Sequence, residues 1–330
     1  MRQPHAGAER PFFDAVYVGQ PARASDDADT AGRIAALIAR GALFVVNHSG
    51  GKDSQAMYLF LRNVVPAAQI VHVHADLGRV EWAGAYAHIL ATTAGEPVMV
   101  CNARRDLLQM VEERGMFPSP TLRQCTSDLK RGPIERTIRG LVAARKERNE
   151  TGWHLVVNCM GMRAEESSSR AKLTTFKLSM RNSVAGREWY DWLPIHDMLE
   201  TEVFAAIAAA GQQPHAVYVH GMSRFSCCFC VMAAEKDLRT AAQLSVTNPE
   251  LFNDPTVYAQ YVNLERSTGQ VMLMPSKSKG RRTLEEVTGV YIDGDAPARK
   301  VIPIQAVQAD GQPSQGDCGD EWARDLAEAA

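Results

Sequence analysis

The chain has 330 residues, 45% of them hydrophobic, and a formal net charge of −2. That is enough apolar material for a full globular core, which excludes a disordered or fibrous protein. So small a charge gives no global case for a nucleic-acid or membrane partner. No apolar run approaches the ~18 residues of a membrane span, and no early segment joins a basic start to an apolar core, so a cytoplasmic protein with no membrane partner is expected.

Residues 1–30, ending near "ARASDDADTAG", read as a flexible arm. A helix at about 30–40 and the strand "ALFVVNH" should follow, then the helix "SQAMYLFLRNV", the strand "QIVHVHAD" and a helix around Glu81–Ala94. The strand "PVMVCN" leads to a helix near Arg104–Gly115. Next come the helix "PIERTIRGLVAARKERN", the strand "WHLVVNCMG", and "WLPIHDM" before the helix "LETEVFAAIAAAG". Short Val/Ile-rich runs alternating with helical patterns predict βαβ units and a parallel, Rossmann-like α/β sheet. Ligands in such sheets bind outside the carboxyl ends of the strands. From about residue 231 to 293 the pattern is mostly helical; beyond Asp293 it is a Pro/Gly/Asp-rich tail.

The turn Ser49-Gly50-Gly51-Lys52-Asp53-Ser54 joins a strand to a helix. It is not a Walker A loop, because the glycine required five residues before the Gly-Lys pair is Val46. Its physics is still that of a phosphate site. Gly50 and Gly51 let the backbone approach an anion, and the helix opening near Asp53 aims free N–H groups and its positive end at the same place. Lys52 adds a cation; Ser49 and Ser54 add hydroxyls. Asp76, at the end of the second strand, suits either a Mg²⁺ ligand or a cap on the next helix. Arg163 and Arg170 flank Glu165 and Glu166, and suit either a phosphate or pairing within the loop. Lys130 and Arg224 are further cations for the site, whereas His48, His72 and His74 read as packing or solvent-facing.

Seven cysteines, an odd number, are unevenly placed. Cys227 and Cys230 have the spacing of a shared metal, with Cys228 between them, and in a reducing compartment this suggests metal or redox chemistry. Cys101 and Cys159 lie in apolar strands and read as core; Cys318 reads as an ordinary tail cysteine. Basic segments at 130–148 and 277–282 are either solvated faces or contacts for a nucleic acid.

"SGGKDS" between strand and helix resembles the PP-loop of ATP pyrophosphatases, the adenine nucleotide α-hydrolase-like superfamily. "HADLG" (His74–Gly78), "CTSDLKRGPI" (Cys125–Ile134), "GMRAEESSSR" (Gly161–Arg170), "LPIHDMLETEVFAAI" and "YVHGMSRFSCCFC" are similar, in order, to motifs of its phosphoadenylyl-sulfate (PAPS) reductase-like branch. The resemblance covers about 40–235 and implies an arm (1–30), a nucleotide-binding domain (31–235), a helical extension (236–293) and a tail (294–330). It implies ATP with Mg²⁺, cleaved between the α and β phosphates to adenylate an acceptor. Ser49, Gly50, Gly51, Lys52, Asp53, Ser54, Asp76, Gly161, Arg163 and Arg170 would hold the nucleotide, with Lys52, Asp53 and Arg163 catalytic. It also brings Cys125 to Cys227 and Cys230, which leaves open a 4Fe–4S cluster with or without Cys228, zinc, or free thiols. Sulfur transfer onto an acceptor such as tRNA or DNA, fed by a sulfur-donor protein, would follow. Two departures count against a PAPS reductase proper: the loop is complete, and no His follows Cys318. Reduction of PAPS or adenylyl sulfate, a sulfate adenylyltransferase subunit and a non-catalytic nucleotide-binding subunit are the alternatives.

Overall fold

The computed structural model describes residues 24–275 and 278–292. A six-stranded sheet has the strand order β3-β2-β1-β4-β6-β5, with β1 Leu43–Asn47, β2 Ile70–Asp76, β3 Val98–Asn102, β4 Leu155–Cys159, β5 Phe176–Leu178 and β6 Glu188–Trp192. Strands β1 and β4 pair in parallel (Leu43 opposite Val156), as do β2 and β3 (Asp76 opposite Asn102) and β4 and β6 (Cys159 opposite Trp192). Only β5 runs antiparallel, against β6. The order reverses after β1, and the loop leaving such a strand is where α/β sheets bind ligands.

The chain divides into two compact units, and the β1 strand's end marks the change from one to the other. The described part of the first comprises 24–46, 56–70 and 142–212. Its core gathers Phe44 and Val46 of β1, Met57 and Leu61 of helix α2 (Lys52–Val64), Leu155 and Val157 of β4, and Ile34 and Leu37 of helix α1 (Ala24–Ala39). Trp192 packs edge-on against Phe44 and Phe60, with ring centroids 6.1 and 6.0 Å apart. Helix α1 starts earlier than the sequence pattern suggests: "ASDDADTAG" forms its first turns instead of belonging to the arm.

The second unit comprises 47–55, 71–141 and 213–292, apart from 276–277. It contains helices α3 (Ala85–Thr92) and α4 (Leu107–Arg114). Helix α4 starts in a capping box between Asp106 and Gln109 and stops at Gly115, whose φ of 70° suits the left-handed cap. Helix α5 (Gly132–Glu147) begins in this unit, directly after a wide helical turn, Thr126–Arg131. After helix α6 (Glu200–Ala209) of the first unit, helices α7 (Glu235–Thr247), α8 (Val257–Thr268) and α9 (Leu284–Thr288) form the helical C-terminal part. They pack on one another, and α4 packs on α8. An aromatic core holds this unit together: Phe229 lies against Phe252, Tyr258 and Tyr261 with centroids 6.2, 5.2 and 5.5 Å apart, and Trp82 lies 4.9 Å from Phe252. Among the described residues no helix is long and apolar enough to cross a membrane. The arm's first residues, Lys277, the 294–330 tail and Cys318 lie outside the described residues.

Candidate nucleotide and thiol site

Residues 47–55, all in the second unit, leave β1 in a tight turn. Gly50 has φ 84°, a conformation that favours glycine, and Ser54 Oγ closes the turn by donating to the Gly51 carbonyl at 2.8 Å. The Ser49 N–H donates to Ser54 Oγ at 3.2 Å, the Gly50 N–H to His48 Nδ1 at 3.2 Å, and the Lys52 N–H to the Tyr218 hydroxyl at 3.1 Å. The Lys52 ammonium is 2% exposed, pairs with Asp53 at 3.2 Å and stands 5.3 Å from the Tyr218 ring centroid. Phe225 covers the glycines: a Cβ built on Gly51 would fall 2.7 Å from Phe225 Cβ.

Because His48 Nδ1 accepts from Gly50, its proton sits on Nε2, a buried atom with no partner among the described residues. Burial, and then the neighbouring His72, His88 and His74, hold His48 well below the ordinary histidine value, so it is neutral. His74 donates Nδ1–H to the His48 carbonyl at 3.0 Å and faces Glu81 through Nε2 at 3.3 Å. Burial opposes its charge, but the Glu81 carboxylate outweighs burial and raises its pKa. His72 pairs with Glu96 at 2.7 Å, yet burial dominates and lowers its pKa. The three strand histidines are thus buried, and His48 and His74 hold the loop as well as pack.

Asp76 accepts from the Gly78 N–H at 2.7 Å and from Asn102 Nδ2 at 3.1 Å. The first of these bonds ties Asp76 to the start of the following turn, Gly78–Val80, whose N-cap residue is Leu77.

The same unit brings Cys125 to Cys227 and Cys230. The Thr126–Arg131 turn carries Lys130 to the same point, and the 225–230 segment is tied down by the Cys228 N–H donating to the Val80 carbonyl at 2.9 Å. Burial pushes the Cys227 thiol up to about 12 against the pull of Lys130, with Cys230, Cys125 and Glu81 adding to the rise. Burial and Cys230 raise Cys125, and burial drives Cys228 well above its ordinary value. For Lys130, burial opposes charge, but Cys227, Cys230, Cys125 and Glu81 together hold it above the usual lysine value. Tyr261 is fully buried beside these sulfurs, with a hydroxyl that has no partner among the described residues.

These thiols do not fit a ready-made metal site. Among the described residues no group of three or more His, Cys, Asp or Glu side chains is set to hold a metal ion. A lysine ammonium stands among the expected ligands Cys125, Cys227 and Cys230, and Cys228 does not complete the set. The 4Fe–4S cluster or zinc left open by the sequence, with or without Cys228, is not shown by this arrangement. Convergence of Cys125 with Cys227 and Cys230 is.

Gly161, Arg163 and Arg170 belong to the first unit. Arg163 is 3% exposed, pairs with Glu165 at 2.5 Å and donates to the Met198 carbonyl at 3.3 Å; Arg170 pairs with Glu166. Both arginines therefore make the within-loop pairs that were one of their two expected roles. The basic segments are also largely engaged: Arg145 and Arg148 pair with Glu150, Lys146 lies over Trp153, and Lys279 and Arg282 pair with Glu235.

Sequence patterns missed Tyr218, Phe225 and Glu81. Tyr218 and Phe225 both lie within the motif-like run Tyr218–Cys230, but only the fold shows that they meet the glycine turn.

Residues 44–233 match the phosphoadenosine phosphosulfate reductase domain. An uncharacterized 37.8 kDa protein of Escherichia phage 186 is 26% identical over 180 residues, which is 54% of this chain and 50% of the relative. The chain thus spans about half the length of that relative. Among solved structures, a PAPS reductase from Candida auris in a phosphate complex has a TM-score of 0.36 at 13% identity, covering 56% of this chain and 80% of that one. The Candida glabrata FMN adenylyltransferase, in complex with FAD and inorganic pyrophosphate, also has a TM-score of 0.36, at 11% identity, covering 57% and 55%. Likeness at that level adds nothing to the sheet described above. The domain match, by contrast, runs from β1 through the glycine turn to the cysteine segment and takes in more than half of the residues, and on that ground the chain belongs to the phosphoadenosine phosphosulfate reductase domain family.

Proposed function

We propose that the protein binds ATP as its magnesium complex and cleaves it between the α and β phosphates, passing AMP to an acceptor and releasing pyrophosphate as the activating step of a sulfur transfer. The observation that carries this is the Ser49–Ser54 turn at the carboxyl end of β1, which opens α2 with Lys52 as its first residue. Backbone N–H groups, the positive end of α2 and the Lys52 ammonium are the donors that a departing pyrophosphate needs. Phosphoryl chemistry asks the protein mainly for such positioning and charge. Ser49 and Ser54 hold the turn's shape, and Asp53 keeps the ammonium in place through its ion pair.

The sulfur-transfer half is supported by Cys125, Cys227 and Cys230, gathered around Lys130 in the same unit as the loop. A tRNA or DNA acceptor reached through the basic segments 130–148 and 277–282 would compete with the ion pairs these make with Glu150 and Glu235, and a sulfur-donor protein would charge the thiols. A second reading, reduction of PAPS or adenylyl sulfate, is favoured by the family itself.

One assay separates the two. With magnesium ATP, an acceptor and a sulfur donor, AMP and pyrophosphate should appear in equal amounts, and PAPS supplied with a thiol reductant should yield no sulfite. Sulfite from PAPS, with no pyrophosphate from ATP, would put the reductase first.

A further inference from the structure

Resting on the assignment of the Ser49–Ser54 turn to phosphate, we infer that Tyr218 and Phe225 are positioning residues that tie nucleotide entry to the cysteine segment. An anion-binding turn works through its N–H groups, and the N–H at the head of α2, that of Lys52, is given to the Tyr218 hydroxyl at 3.1 Å. The same ring faces the Lys52 ammonium at 5.3 Å. Phe225 lies against both glycines, on the side of Gly51 where the Tyr218 hydroxyl also stands. A phosphate approaching this turn meets a hydroxyl oxygen and an aromatic ring on the surface it must use.

Tyr218 and Phe225 belong to one short piece of chain, and that piece carries the cysteines. The Tyr218 N–H donates to the His215 carbonyl at 3.1 Å, Met222 N–H to Val217 at 3.2 Å, and the His215 ring packs edge-on against Phe225 at 4.8 Å. Cys227 follows Phe225 by two residues, and Cys228 is anchored to Val80. A charged phosphate oxygen is a stronger acceptor than a neutral hydroxyl, so it takes the Lys52 N–H from Tyr218. The displacement passes along 216–230 to Cys227 and Cys230. Nucleotide binding thereby changes the exposure of the thiols that serve the second half of the proposed reaction.

Hydrogen-exchange mass spectrometry on the full chain, with and without magnesium ATP, tests this, alongside calorimetry on the parent and on Tyr218→Phe. ATP should slow amide exchange in 47–55 and speed it in 216–230. Tyr218→Phe keeps the ring beside Lys52 and loses only the competing hydroxyl, so it should bind ATP about fivefold more tightly, the effect of one neutral hydrogen bond, with a smaller change in kcat. ATP that binds but slows exchange in both segments, or leaves 216–230 unchanged, overturns the inference and spares the assignment of the loop. So does a Tyr218→Phe affinity no better than the parent's. No ATP binding by the parent overturns the loop assignment and the inference together.

Discussion

A Cβ added at Gly51 would fall 2.7 Å from Phe225 Cβ and 3.2 Å from the Tyr218 hydroxyl. Unlike Gly50, Gly51 does not have a positive φ, so contact alone, not backbone strain, excludes a side chain there. Gly51→Ala should therefore cost stability on the order of 1–3 kcal/mol, the range for overpacking. The same change made in a Phe225→Gly background should cost less, because the blocking Cβ is gone. Thermal denaturation of the two single variants and the double variant measures the coupling; strict additivity would show that the loop and the 225 segment do not constrain each other.

Lys52 bears directly on the proposed chemistry. Its ammonium is buried against Asp53 and the Tyr218 ring, at the head of α2. Lys52→Ala should lower pyrophosphate release by on the order of 10²-fold, as expected for losing one preorganised charge. Circular dichroism on the same sample establishes that the fold survives. Release at the parent rate by a folded variant would remove Lys52 from the mechanism.

Much of this site is legible in the sequence because it is local. The glycine turn, its strand and its helix are consecutive, and Val/Ile runs mark β1, β2 and β3. Strand β6 is less visible, since Glu188 and Asp191 interrupt its apolar pattern; Asp191 finds its partner only across the sheet, where Asn158 donates to it at 3.0 Å. Tyr218 lies 166 residues from Lys52, and no periodicity records that pairing. The cysteines show both sides of the matter. Motif order placed Cys125 near Cys227 and Cys230, but it could not show that Lys130 would stand among them.

The histidines predict an acid limit to stability. His48, His72, His88 and His215 are all held below the ordinary value, burial being the largest cause each time, and His88 is lowered to about 4 with His215 adding to the effect. The unfolded chain protonates these groups near pH 6.5. Each therefore contributes stability that is full above pH 6.5 and is lost as pH falls toward the folded value. His74, raised by Glu81, has the opposite sign: its contribution is present below pH 6.5 and is lost as pH rises through its folded value. Four groups against one mean that Tm should fall between pH 6.5 and 4.5, and His88→Gln should flatten the decline. A His88→Gln profile parallel to the parent's would show that His88 does not carry its share.

Thiol labelling tests the cysteine arrangement without assuming what it binds. Cys125 and Cys230 are half-buried, whereas Cys227 is 7% and Cys228 2% exposed. Iodoacetamide at pH 8 should therefore modify Cys125 and Cys230 first. Cys227, with its thiol pushed up to about 12, and Cys228 should follow slowly, and Cys159, fully buried on β4, should react only on unfolding. The thiolate is the reacting species, and the Lys130 charge favours the thiolates of Cys125 and Cys227. Lys130→Met should therefore slow labelling of Cys125, while Lys130→Arg should keep the parent rate. Equal rates in all three proteins would show that Lys130 does not govern these thiols. Joint protection of Cys125, Cys227 and Cys230, released together by a chelator under anaerobic conditions, would mean instead that the three close on one metal centre, which requires them to leave the positions they hold around Lys130.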